Sequence, residues 1–277
     1  MAGYSTLSTI GVEVDDGVAW ATIDNPPINL WDAAFSGDLF RLVDAVEADD
    51  EVRVLVLASA HPEFFVAHAD VGMIIAMPDD PRPPLKEPNV AVAKLDRLRA
   101  MPKATIAAVG GIARGGGSEL ALACDLRFAS RSARFGQPEV ALGILPGAGG
   151  TQRLSRLVGR ARALEIVLGC GDVSGEEAAA IGLVNRVLDD HELVPFVRGL
   201  ARRIASMPSE AVGLSKQAVD AAWPPAGPGF LVEGDAFHEL MTHPEAKERM
   251  RAFLDLGGQT ADGERDLGAI VDRLGRA

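Results

Sequence analysis

Three short apolar runs limit what this chain can build. Val52–Ala58 reads VRVLVLA, Ala104–Val109 reads ATIAAV and Leu126–Ala129 reads LRFA. Each is too short for an ordinary helix and is bounded by acids or a loop. Mostly apolar runs of this length are expected to be strands buried on both faces. Asn89–Ala100 lies between the first two, with Val92, Leu95 and Leu98 at helical spacing and Asn89 placed to cap. A loop over Gly110–Gly117 and a short helix over Ser118–Cys124 separate the second run from the third. This strand–loop–helix–strand alternation implies an α/β core with partly parallel strands.

The flanks read with less ambiguity. Val12–Val14 and Val18–Ile23 surround Asp15-Asp16-Gly17, a hairpin signal. Ala33–Ala48 carries Phe35, Leu39, Leu42, Val43 and Val46 on one helical face. His61–Pro88 is polar and proline-rich without clear periodicity, a length that often marks a lid or binding loop. Past about Asn185 only helical patterns remain, broken at Pro208, Pro224-Pro225 and Pro244. The expected division is a core over residues 1–190 and a helical region over 191–277.

Bulk properties remove several function classes. The net charge of −12 opposes general nucleic-acid binding, which needs clustered cations to displace phosphate counterions. A small anionic ligand stays possible, because local N–H groups can hold one. Cys124 and Cys170 lack metal or disulfide spacing. No run is long enough to span a bilayer and no signal peptide is evident, so a cytoplasmic protein without membrane attachment is expected. No G-x-G-x-x-G and no P-loop occur. His238 and His243 are five residues apart instead of four, which takes them off the shared face a zinc helix needs.

What remains is a pair of carboxylates. Glu119 follows Gly115-Gly116-Gly117-Ser118, and Glu139 follows Phe135-Gly136-Gln137-Pro138. Glycine backbone allows peptide N–H groups to approach a substrate oxygen, and the first N–H groups of a helix have no intrahelical partner. Donors of that kind suit an enolate or thioester oxygen. Glu139 precedes the apolar Val140–Leu142, which would raise a buried carboxyl's pKa and separate acid from base. Locally, each motif also fits a plain turn, with Glu119 a solvated first-turn acid and Glu139 a surface acid.

Four segments together resemble the enoyl-CoA hydratase/isomerase, or crotonase, family: Phe65–Asp70 (FVAHAD), Gly115–Asp125 (GGGSELALACD), Phe135–Glu139 (FGQPE) and Leu142–Leu154 (LGILPGAGGTQRL). The resemblance is strongest over about residues 50–190. It implies a spiral of ββα units, with a helical C-terminal region used in forming a homotrimer or a dimer of trimers. It also implies a coenzyme A thioester substrate and neither metal nor redox cofactor. By position, the N–H groups of Ala69 and Gly116 would form the oxyanion hole. Ala67, His68, Asp70, Gly117 and Gly147 would line the substrate. Glu119 and Glu139 match both acidic positions of hydratases, implying addition of water to a 2-enoyl-CoA to give a 3-hydroxyacyl-CoA. Isomerisation, thioester hydrolysis and binding without turnover are the alternatives on the same scaffold.

The sequence departs from the family pattern in three places. His68 stands where the family has glycine; it could narrow the pocket, redirect the Ala69 N–H or point to solvent. Asn25–Leu30 offers no cation beside its prolines. After Phe253 no lysine follows, so Lys103 or the Arg82–Lys86 loop is the expected source of charge for coenzyme A phosphates.

Overall fold

The computed structural model describes residues 4–275. Strands β1 (Ile10–Asp15) and β2 (Val18–Ile23) form the expected hairpin, with Asp16 and Gly17 both at positive φ in its turn. Helix α1 (Ala33–Ala48) is capped by Asp32, whose side chain accepts from the Phe35 N–H. Strand β3 (Val54–Ser59) follows, then a three-residue β4 (Phe64–Val66) and a short α2 (Val71–Ile75). Asn89 caps α3 (Val90–Ala100). Strands β5 (Ala104–Val109) and β6 (Ile112–Arg114) lead into α4 (Gly116–Ala123), which starts two residues before the expected Ser118. Then come β7 (Leu126–Ser130), β8 (Arg134–Gly136), a 3-10 turn at Glu139–Leu142 and α5 (Gly150–Gly169). Strand β9 (Val173–Ser174), α6 (Gly175–Ala180) and β10 (Arg186–Leu188) finish the core.

Successive strand pairs go to different sheets. The larger sheet has the order β1-β2-β3-β5-β7-β10 and is parallel from β2 onward; the smaller has the order β4-β6-β8-β9 and is parallel apart from β9. The pairs β3/β4, β5/β6 and β7/β8 therefore climb as a spiral of ββα turns, the architecture the resemblance implied. Side chains alternate across the buried strands. Leu55 and Leu57 face α1 and α3 through Phe35, Leu39, Leu42, Leu95 and Leu98. Val54 and Val56 face the other way, toward Leu193, Val197 and Ala201.

Those last residues belong to α7 (Asp190–Ala205), the first of six helices that complete the described chain. The others are α8 (Ser209–Asp220), α9 (Gly227–Met241), α10 (Pro244–Asp255), α11 (Ala261–Arg265) and α12 (Leu267–Leu274). Met250, Phe253, Leu267, Ile270 and Leu274 form a separate apolar cluster with Val71, Ile74, Leu142 and Ile144. The later helices thus roof the ends of β4 and β8, where the Ala67–Asp70 segment and the Glu139 motif emerge.

Candidate active site

The segment after β4 is clamped on both sides. Trp31 donates to the His68 carbonyl at 2.8 Å and accepts from the Asp70 N–H at 3.0 Å, while Arg114 N–H reaches the Ala67 carbonyl at 3.2 Å. Ala69 N–H lies between these bonds and donates to no group among the described residues. Gly116 opens α4, so its N–H also lacks an intrahelical acceptor. A Cβ at Gly116 would sit 3.5 Å from the Ala69 nitrogen and 3.1 Å from the Trp31 ring. Two free peptide donors therefore border one gap, which glycine keeps open. Gly117 is packed so tightly that a Cβ would fall 2.0 Å from the Val66 carbonyl oxygen.

Glu139 lies against the Gly115 turn beside this gap, and Glu119 sits in the first turn of the helix that Gly116 opens. Gly115, at φ +46°, joins the end of β8 through a 3.0 Å bond to the Gly136 carbonyl. A Cβ there would lie 2.6 Å from Glu139 Oε1. Glu139 is half-buried and opens the 3-10 turn; Gln137, with its amide nitrogen turned inward, donates to both carboxyl oxygens at 3.1 and 3.2 Å. Burial, then the nearby charge of Glu119, raise its pKa well above the ordinary glutamate range. Glu119 is 3% exposed, so it is not the solvated acid its local pattern also allowed. Its Oε1 accepts from Ala148 and Gly150 N–H, both at 2.7 Å. Burial and then the charge of Glu233 lift its pKa to about 7 against those two donors. Glu119 is the more readily ionised of the pair because it alone of the two has two peptide donors on one oxygen.

The remaining candidates divide. Ala67 is fully buried. Gly147 accepts from Asn89 Nδ2 at 2.7 Å and lies under the Phe237 ring of α9. Asp70 caps α2 through the Gly72 N–H at 2.8 Å and accepts from Gln259 Nε2 at 3.0 Å. His68 does not point to solvent. It is 5% exposed, its Nδ1 lies 2.7 Å from the Ala69 carbonyl oxygen and its Nε2 lies 2.9 Å from Glu264 Oε1 on α11. Together with Ala69, Glu139, Leu142, Ile144, Phe253 and Leu267 it lines a small, mainly apolar cavity of about 30 Å³.

Lys103 is misplaced for the role the sequence suggested. It precedes β5, about 20 Å of strand from the site at roughly 3.3 Å per residue. Its ammonium is spent on the Val46 and Asp49 carbonyls at 2.5 and 2.6 Å. Arg82 is tied to α9 through Asp235 and the Gly234 carbonyl, whereas Lys86 is exposed. Sequence reasoning missed Glu233 and Glu264, both buried acids on late helices. The one signal for Glu233 was an acid set among Phe230, Leu231 and Val232.

The sequence model of the enoyl-CoA hydratase/isomerase family matches residues 13–259. The chain belongs to that family. It is 36% identical over 260 residues to the short-chain-enoyl-CoA hydratase of Clostridium acetobutylicum, covering 90% of this chain and 95% of the relative. It is 42% identical over 215 residues to the crotonyl-CoA hydratase of Syntrophomonas wolfei, covering 77% and 82%. Among solved enoyl-CoA hydratase/isomerase structures, a Streptomyces avermitilis chain assigned provisionally as an enoyl-CoA hydratase superposes with a TM-score of 0.90 at 37% identity, covering 98% of this chain and all of that one. An enoyl-CoA hydratase from Mycobacterium avium subsp. paratuberculosis gives 0.77 at 28% identity, covering 90% and 96%.

Proposed function

We infer that this protein is an enoyl-CoA hydratase, adding water across the double bond of a 2-enoyl-CoA. The observation that carries the reading is the meeting of a buried and a half-buried carboxyl, both with raised proton affinity, beside two unpartnered peptide N–H groups. In this reading the thioester oxygen sits between Ala69 and Gly116 N–H. Glu119, the more readily ionised acid, takes a proton from water as its oxygen bonds to carbon three. The electron pair of the double bond moves onto the thioester oxygen, where the two donors hold the enolate. Glu139, whose proton affinity is raised by burial and by the Glu119 charge, then delivers a proton to carbon two. Water is added overall and no net redox change occurs, so the reading calls on neither metal nor redox cofactor. Ala67, His68, Asp70, Gly117 and Gly147 serve by shaping the pocket around the thioester.

The substrate is read as short-chain. A cavity of about 30 Å³ beside Glu139 and Ala69 takes about two water-sized groups, the tail of a four-carbon acyl chain. The names of the two hydratase relatives agree with that size. Lys86 is the cation proposed for the coenzyme A phosphates. Exposed Leu168, Leu214, Val219, Trp223 and Val232 suit burial in a homotrimer, alone or doubled, which sedimentation would test.

Loss of the conjugated thioester absorbance with crotonyl-CoA, giving 3-hydroxybutyryl-CoA, tests the activity. Activity is expected to decline from crotonyl- to decenoyl-CoA. Bound ligand without absorbance change across the series would overturn the hydratase reading.

A further inference from the structure

Four consecutive peptide N–H groups at the start of α5 are shared between two carboxylates from distant parts of the chain. Ala148 and Gly150 donate to Glu119, each at 2.7 Å. Gly149 donates to Glu233 Oε1 at 2.7 Å and Thr151 to Glu233 Oε2 at 3.0 Å, with the Thr151 hydroxyl on the same oxygen. Glu233 is 3% exposed and comes from α9. Its face of α9 is dedicated to this turn. Phe230 stacks under the Arg153 guanidinium at 5.0 Å, and Phe237 packs on Gly147. Arg153 holds the other end, donating to the Ala148 carbonyl at 2.7 Å and to Asp96 of α3 at 2.8 Å.

We propose that Glu233 is a positioning residue for Glu119: by taking the alternate N–H groups of residues 148–151, it fixes the turn that aims the Glu119 carboxylate. This rests on the reading of Glu119 as the base. Without the second carboxylate, Gly149 and Thr151 N–H would be free to compete for Glu119 or rotate away, and the seat would lose its single geometry. Charge follows from the same arrangement. Glu119 is faced by Glu233 from α9, by Glu139 from the 3-10 turn and by Arg153 from α5, itself shared with Asp96. Glu233 faces Thr151, Arg153 and the two other glutamates, whereas Asp235 and His238 of its own helix bind the Asp80–Leu85 loop. Burial does most to raise the proton affinity of Glu119, and the neighbouring Glu233 carboxylate adds to it.

Glu233→Gln retains shape but removes the charge and one acceptor oxygen. With crotonyl-CoA, kcat should fall about 10- to 100-fold with KM changed less than threefold, as for a mis-aimed reacting group. The acidic limb of kcat/KM should move to lower pH, and Glu233→Asp should restore part of kcat. The carboxyl titration of Glu119, followed by 13C NMR in glutamate-labelled protein and assigned with Glu119→Gln, should shift down in step; this readout needs no turnover. A lowered Tm with the acidic limb and NMR midpoint unmoved would mark Glu233 as a helix cap only and overturn the proposal. A wild-type enzyme that hydrates no enoyl-CoA would sink the reading of Glu119 as base and the proposal with it. Hydration abolished by Glu119→Gln but untouched by Glu233→Gln would sink the proposal alone.

Discussion

Two buried acidic clusters tie the late helices to the site, and they are built on opposite electrostatic plans. At the start of α5, Glu119 and Glu233 sit side by side, held by neutral peptide donors with one shared arginine. Behind the Ala69 peptide, Glu264 is fully buried but surrounded by cations. It accepts from Arg114 at 3.2 Å, lies 2.9 Å from His68 and accepts the Gln259 N–H at 2.9 Å, while Arg114 also forks onto Asp172 at 2.7 Å. Burial works against ionisation in both places. In the second, the charge and hydrogen bond of His68 outweigh it and Glu264 ends below the ordinary glutamate range. In the first, nothing outweighs it and Glu119 ends near 7. Depth therefore does not decide what a buried acid does. Cationic partners make one cluster an anchor, and their scarcity leaves the other free to exchange protons.

The sharpest break of this contrast is in turnover. Glu119→Gln should lower kcat with crotonyl-CoA about 10³-fold, within the range typical of a general base, while leaving Tm equal or higher. A large loss of stability would show that its charge is structural. Glu264→Ala should do the reverse. Removing the acid leaves the buried His68 Nε2 without its partner and takes one of two carboxylates from Arg114, expected to cost about 3–5 kcal/mol in chemical denaturation. A cost below about 1 kcal/mol would mean that the anchor is not one.

pH separates the two plans next. Glu119 binds its proton more tightly folded than unfolded, so between about pH 4.5 and 7 the folded state holds more protons and stability falls as pH rises. That slope amounts to at most about 3 kcal/mol and should vanish in Glu119→Gln. For the anchor, Glu264 contributes above about pH 4.5 and loses its contribution as pH falls through its lowered value. Burial opposes the His68 charge, but Glu264 outweighs it, so the His68 value is raised. Its contribution is complete below about pH 6.5 and fades as pH climbs through the folded value. Melts of His68→Ala should therefore lack the loss above pH 6.5 and most of the Glu264 loss in acid, while keeping the Glu119 slope between about pH 4.5 and 7. The smallest effect belongs to Asp235→Ala, which frees Leu85 N–H and Arg82 of the loop over α9. Stability should fall by about 1 kcal/mol or less with kcat unchanged, and hydrogen exchange should quicken at residues 79–86.

The elements with periodicity were legible in the sequence. The hairpin, α1, α3 with its Asn89 cap, and the buried runs of β3, β5 and β7 all show their pattern within their own length. Strands β4, β6 and β8 have three residues each, too few for a period of two to register, so the smaller sheet was hidden inside apparent loops. The early start of α4 was masked because two glycines rank poorly as helix formers; Gly117 is instead required by its contact with the Val66 carbonyl. At the site, Glu119 and Glu139 stood out because glycines surround them. Glu233 and Glu264 lie 84 and 196 residues along the chain from partners at Gly149 and His68, and no local signal spans such distances. His68 read as an intrusion because its partner was invisible.

The interleaved seat of Glu119 also sets an order of events in making the protein. Gly149 leaves the ribosome 84 residues ahead of Glu233, a lag of about 4–17 s at ordinary elongation rates. Through that interval both glutamates of the site have been synthesised and the spiral can close around them, yet half of the N–H ladder has no acceptor. The nascent chain thus carries its chemistry before it can aim it, and competence arrives with the docking of α9.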